Sequence, residues 1–182
     1  YLSYRLQTHL RLSHEDVHPY GLDRDFEVTT DATYSDEIVH IDDFKLSDGK
    51  TRVSMEGEFD IDTYVMTLKG RLSTRDLRPI TRAFGDNIAG QVNLDFSAAG
   101  PAILPRIRAN VKARNVRRGD LPTLNATGRA TYLGGRLDLD GWTIQSDKGD
   151  VSIQGWMHLL KTGIPWDLRI NARKFEIGTL PL

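Results

Sequence analysis

Apolar and polar residues alternate with a period of two along most of the chain. In residues 52–61, RVSMEGEFDI, every odd position is apolar or glycine and every even position is polar. Successive side chains of a β-strand point to opposite faces of a sheet, so this pattern predicts strands with one apolar and one polar face. The same alternation occurs in residues 64–72, 92–96, 107–113, 137–139 and 151–153.

Short turn signals separate these predicted strands. Asp48-Gly49, Gly134-Gly135 and Lys148-Gly149 are typical of tight hairpins, because glycine adopts a positive φ without steric cost. About eleven strands joined by short loops predict an all-β, mainly antiparallel meander. Residues 76–84, DLRPITRAF, are the exception: a capping Asp and an early proline predict a short helix that ends near residue 85.

The chain also contains an internal repeat. Residues 44–57 align without gaps to residues 142–155, and residues 67–80 resemble residues 167–180. Segments 44–80 and 142–180 are therefore predicted to repeat one strand unit, and such units stack along one axis. The alternative is that two unrelated amphipathic hairpins look alike. We expect residues 1–182 to be a single segment of a longer chain, because the sequence starts without a methionine.

Strands with one apolar face must hide that face from water. The possible arrangements are a closed barrel, a two-sheet sandwich, or a groove that holds another molecule. The number of strands and the repeat argue against a small barrel, whereas the alternation alone leaves the sandwich and the groove open. A groove of eleven strands, each roughly 4.8 Å from the next, would be about 50 Å long.

Composition excludes several classes of function. A formal net charge of −1, from 24 basic and 25 acidic residues, gives no general attraction to nucleic acid or to an anionic membrane. The absence of cysteine excludes disulfides, thiol catalysis and thiolate metal sites. No apolar run approaches 18 residues, so the sequence predicts no membrane-spanning helix within these residues.

One catalytic motif occurs in the sequence. Residues 14–21, HEDVHPYG, match the H-E-x-x-H-x-x-G pattern of zinc proteases. That mechanism requires a helix, whereas Pro19 would disrupt one and favours an extended His18. Arg24 also stands where a third histidine ligand would fall. We therefore predict a polar turn here. We also expect that the protein is not an enzyme and that it binds neither a metal ion nor a cofactor.

The arrangement of strands and connectors resembles the TamB/AsmA-like family. The resemblance is carried by residues 90–116, GQVNLDFSAAGPAILPRIRANVKARNV, and by the flanking segments 73–90, 121–155 and 174–182. The resemblance lies in the order and spacing of alternating residues, glycines and prolines and includes no catalytic motif. It covers most of the chain from about residue 38.

The resemblance implies a repeating β-groove, or β-taco, with an apolar concave face. Proteins of this family are anchored in the inner membrane of diderm bacteria, cross the periplasm, and are implicated in phospholipid transport or in outer-membrane protein assembly. The implied partners are phospholipid acyl chains and an outer-membrane barrel protein of the BamA-like type. A scaffold that pairs with unfolded outer-membrane strands, and a closed β-sandwich binding module, are the alternative functions.

If the sheet forms a groove, its lining should come from the apolar positions of the alternating segments. An ordinary core position is the alternative for each of these residues. The predicted lining residues are Val53, Met55, Phe59, Ile61, Met66, Leu68, Leu94, Phe96, Ile107, Val111, Leu137, Leu139, Trp142, Ile144, Val151, Ile153, Trp166 and Leu168.

Overall fold

Eleven strands follow one another along the chain, as the alternation predicts. The computed structural model describes residues 3–13, 15, 25–82, 85–160 and 163–174. One short helix, α1 (Arg78–Arg82), lies between the fifth and sixth strands. The strands are β1 (Ser3–Leu12), β2 (Phe26–Ser35), β3 (Ile38–Ser47), β4 (Thr51–Asp60), β5 (Val65–Thr74), β6 (Ile88–Pro101), β7 (Arg106–Arg118), β8 (Leu124–Leu133), β9 (Arg136–Ser146), β10 (Gly149–His158) and β11 (Trp166–Arg173).

All eleven strands belong to one antiparallel sheet in simple chain order. Each strand pairs with the strand before it and the strand after it, and β1 and β11 are the outer strands. In the described residues β1 does not pair with β11, so the sheet is open and unclosed. The prediction of a mainly antiparallel meander with one short helix is confirmed. The two-sheet sandwich is wrong for the described part of the chain, because all of its strands lie in a single sheet.

The helix α1 forms where the capping and proline signals predict it. The Asp76 carboxylate accepts a hydrogen bond from the backbone N–H of Arg78 at 3.2 Å, which caps the first turn. Pro79, in that first turn, is buried and needs no hydrogen-bond acceptor for its nitrogen. At five residues, α1 is far too short to cross a membrane, and the described residues hold no helix that could.

The two segments that resemble each other in sequence also pair in the same way. In both hairpins one glycine, Gly57 or Gly155, has a positive φ, of 150° or 139°, beside an irregularity in register. A Cβ on either glycine would collide with a backbone oxygen of the next strand, that of Thr67 or of Asp167. The equivalent cross-strand pairs are Phe44–Met55 and Trp142–Ile153, Leu46–Val53 and Ile144–Val151, and Ile41–Gly57 and Leu139–Gly155.

Candidate functional site

The sheet brings its apolar positions together on one side, which we call the apolar face. Directly opposed residues on neighbouring strands share a face, so the pairing register decides which side chains meet. Val53 lies opposite Leu72, Leu72 opposite Leu94, and Leu94 opposite Val111. Towards β1 the same row continues through Leu46, Val28 and Leu10.

A bulge in β9 keeps the apolar face continuous where the sequence parity changes. Leu139 lies opposite Ala130, and Ile144 lies opposite Ala126, so an odd and an even residue of β9 face the same side. The register shifts between these two pairs, and Gly141, with a φ of 60°, lies in the shifted stretch. One extra residue moves every following side chain to the other face, which restores the alignment of Ile144 with its neighbours.

The predicted lining residues lie on the apolar face with one exception. Ile61 follows the end of β4 and lies in the turn before β5, where it is exposed. The others occupy β4 to β7 and β9 to β11, joined through pairs such as Phe59–Met66 and Leu168–Gly155. The register therefore gathers them into one surface, whose role as a lipid groove stays a prediction.

The list of predicted lining residues missed the first three strands. Leu6, Val28, Phe44 and Leu46 also lie on the apolar face through the pairing of β1 with β2, β2 with β3 and β3 with β4. The repeat carried a signal for the last two, because Phe44 and Leu46 align with the predicted lining residues Trp142 and Ile144.

The apolar face has little cover. On the strands that the structure describes, only three apolar residues are buried, Phe26, Ala98 and Ala113. The extensive contacts between elements join consecutive strands, or α1 and β6. The large side chains Met55 and Phe96, near the middle of the sheet, are only half-buried. Monomeric soluble proteins rarely expose apolar patches of more than a few hundred Å² unless those patches bind something. The face therefore has the character of a binding surface.

The opposite face is polar and carries ion pairs between neighbouring strands. Glu56 on β4 pairs with Lys69 on β5 at 2.7 Å, and Arg129 on β8 pairs with Asp140 on β9 at 2.6 Å. Exposed pairs of this kind contribute little to stability, because solvent screens them. Their main consequence is that this side of the sheet stays hydrated, so only one side offers an apolar surface.

One ion pair on the polar face produces a large pKa shift. The Asp31 carboxylate on β2 accepts hydrogen bonds from Arg5 Nε at 2.9 Å and from Gln7 Nε2 at 3.0 Å, both on β1. The hydrogen bond from Arg5 and then that from Gln7 lower the pKa of Asp31 from 3.8 to about 2. Three side chains of β1 and β2 are thus tied together beside the outer edge of the sheet.

The described residues hold no group of three or more histidine or acidic side chains that could bind a metal ion. Of the protease-like segment the structure describes Glu15 alone, which is helical and exposed. Residues 14 and 16–24 lie outside the described residues, so the polar turn stays a prediction.

The fold and surface define a class: an open, one-sided antiparallel sheet with a broad apolar face. Comparison of the chain with protein-family models, with curated proteins and with solved structures finds no match.

Proposed function

We propose that the chain is a segment of a TamB/AsmA-like periplasmic protein whose apolar face shields phospholipid acyl chains between the inner and outer membranes. The observation that carries the proposal is the apolar face itself, which runs from β1 to β11 with no covering layer in the described residues. The fit of this face to the groove that the family resemblance implies is the second support.

The dimensions and energetics suit an acyl chain. Eleven strands at a spacing of roughly 4.8 Å make a surface about 50 Å across, perpendicular to the strands. Moving a chain of about sixteen carbons through water costs on the order of 12 kcal/mol, at about 0.8 kcal/mol per methylene. Sliding along a continuous apolar surface keeps most of that contact, so transport along it needs no strong specific pocket.

Small residues and large rings alternate on the apolar face in a way that favours an even surface. The indole of Trp142 lies over Gly128, and the ring of Phe96 lies over Gly70, where a Cβ would be 2.7 Å from Phe96 Cζ. A ring that lies flat over a glycine fills the hollow left by the missing side chain. An acyl chain on this surface would then meet few raised or recessed positions. Such an even surface favours movement along it over retention at one position.

The test is native mass spectrometry with lipid extraction on the chain purified without detergent. We expect near-stoichiometric phospholipid with the unaltered chain and its loss in Ile153→Glu, which puts a charge between Trp142 and Ile170 on the apolar face. The matched control is Ser152→Glu, whose neighbours on the polar face are Thr143 and Asn171. This control should retain the lipid.

Circular dichroism on both variants separates binding from folding. A folded, lipid-free chain, or equal lipid retention by both variants, would contradict the proposal. Unfolding of Ile153→Glu alone would mark the position as ordinary core. The variant Phe96→Glu, in the middle of the face, then repeats the test at a second site.

One observation favours the second candidate, a scaffold for outer-membrane protein assembly. The outer edges of β1 and β11 pair with no described strand, and such edges can accept an extended segment of another protein. A strand of a BamA-like partner or of an unfolded barrel protein would be the occupant. Hydrogen exchange with such a peptide should protect amides of β1 or β11, whereas lipid would leave them unchanged.

A further inference from the structure

The two ends of the sheet differ in character. In an antiparallel meander, the loops that lead from even-numbered to odd-numbered strands all lie at one end, here residues 36–37, 61–64, 102–105, 134–135, 159–160 and 163–165. In the described residues, the exposed large apolar side chains lie at this end or on β1 and β11. The described turns at the opposite end carry polar residues such as Asp48, Asp120 and Asp147.

The most exposed apolar side chains belong to two neighbouring loop regions. Ile103, between β6 and β7, is 89% exposed, and Leu160, between β10 and β11, is 74% exposed. Trp166, at the start of β11, is 64% exposed. We call Ile103, Leu104, Leu160, Ile164 and Trp166 the tip cluster. Single exposed apolar side chains are common, whereas a contiguous group of them marks an interaction site.

The β8–β9 turn connects the two halves of the tip cluster. A Cβ on Gly134 would lie 3.5 Å from the Leu104 side chain, and one on Gly135 would lie 3.0 Å from that of Leu160. The backbone N–H of Leu159 donates to the carbonyl oxygen of Gly135 at 2.7 Å, which fixes the loop after β10 against the turn. A shallow cleft of about 200 Å³ lies between Ile103, Leu104, Tyr132 and Leu160. The tips therefore form one continuous surface.

The charges beside the β6–β7 and β8–β9 loops of this end are basic. Residues 101–106 and 133–136 contain no acidic residue, and each segment ends in an arginine, Arg106 or Arg136. Arg106 has no ion pair within the described residues, whereas Arg136 lies 4.8 Å over the ring of Trp156 and forms an ion pair with Asp138 at 2.7 Å. The acidic residues of the other loops at this end, such as Asp36 and Asp62, lie in the β2–β3 and β4–β5 connections, whereas Asp167 directly follows Trp166. Exposed aliphatic tips, a tryptophan and adjacent arginines are the combination that membrane interfaces select.

We propose that the tip cluster docks this end of the sheet on a lipid bilayer. The aliphatic tips enter the interfacial layer, Trp166 lies at the level of the headgroups, and Arg106 faces the lipid phosphates. The charge pattern favours a bilayer over a basic or neutral protein surface, because the guanidinium of Arg106, which has no ion pair within the described residues, complements phosphate. This docking goes beyond the acyl-chain conduit and does not depend on it.

Liposome flotation tests the proposal directly. The unaltered chain should float with vesicles of neutral phosphatidylcholine, and more strongly when phosphatidylglycerol is added. Ile103→Asp and Leu160→Asp should each lower the partition coefficient by about tenfold or more, because an aspartate is expelled from the interface. The matched control Leu121→Asp makes the same change at a half-buried leucine in the turn between β7 and β8, at the opposite end, and should float normally.

Tryptophan fluorescence gives a second readout. The emission of the unaltered chain should shift to the blue on addition of vesicles, and the shift should be largely lost in Trp166→Phe. No binding to either kind of vesicle would overturn the proposal. So would binding to anionic vesicles alone that Ile103→Asp leaves intact, because the exposed arginines of β7 would then be responsible. Self-association without vesicles, abolished by the same variants, would make the cluster an interface between copies and overturn the proposal as well.

Discussion

Replacing Gly128 by alanine tests how closely the rings of the apolar face lie against the sheet. A Cβ at residue 128 would lie 2.7 Å from Trp142 Cδ1 and closer still to two other indole carbons, so the ring must move. Movement breaks the hydrogen bond that Trp142 Nε1 donates to the carbonyl oxygen of Arg129 at 2.7 Å. No unusual φ at Gly128 adds strain, so the collision with the ring is the cause of the effect.

The expected cost follows from three contributions. Forcing extra volume against the ring costs about 1–3 kcal/mol. Loss of the indole hydrogen bond adds about 1 kcal/mol. The lower entropy of alanine in the unfolded chain offsets about 0.5–1 kcal/mol. Gly128→Ala should therefore destabilise the fold by about 1–3.5 kcal/mol, measured by urea unfolding followed by circular dichroism.

A double-mutant cycle identifies the cause. Valine at position 142 keeps the strand propensity and is too short to reach over residue 128. In the Trp142→Val background, Gly128→Ala should change sign and stabilise the fold by about 0.5–1 kcal/mol. Gly70 provides the contrast: its Cβ would lie 2.6 Å from the backbone oxygen of Ser54 as well as near Phe96, so removal of that ring should not rescue Gly70→Ala. An equal cost of Gly128→Ala in both backgrounds would refute the reasoning.

Three further results are expected from the outer strands and the repeated hairpins. Gly57→Ala and Gly155→Ala should each destabilise by about 2 kcal/mol or more, and to a similar degree, because both glycines combine a positive φ with a backbone collision. Unequal costs, measured by urea unfolding, would mean that the two hairpins are not equivalent. The Asp31 carboxylate should titrate near pH 2 in an NMR experiment and return towards 3.8 in Arg5→Ala. Because its pKa is lowered by folding, its contribution to stability should be complete above about pH 4 and fall away as the pH approaches 2, with faster amide exchange in β1. Asp31→Asn should remove that pH dependence.

Much of the fold could be predicted from local sequence. Period-two alternation in residues 52–61 corresponds to β4 (Thr51–Asp60), and the proline and capping signals in residues 76–84 correspond to α1 (Arg78–Arg82). Both signals act over a few residues, since they depend on side-chain direction and on backbone hydrogen bonds at a helix end. The strands, the turns and the helix could therefore be predicted from the sequence.

The arrangement of those strands was harder to predict from the sequence. Alternation assigns a face to each residue relative to its neighbours, and a single extra residue reverses that assignment. Asp42, opposite no residue of β2, and the stretch around Gly141 are such places, and only the partner strand reveals them. Whether the strands form one sheet or two, and whether that sheet closes, also depends on distant strands. The sandwich was therefore excluded only by the observation that all described strands pair within one sheet.

The strict chain order of the meander has a consequence for how such a protein changes length in evolution. Each strand depends on two sequence neighbours, so gain or loss of a whole hairpin leaves every remaining contact of the sheet in place. Each such step alters the width by about 10 Å, two strand spacings. Loss of one strand alone would reverse the direction of all later strands and send their loops to the opposite end. The sheet can therefore be lengthened or shortened freely, but only in units of two strands.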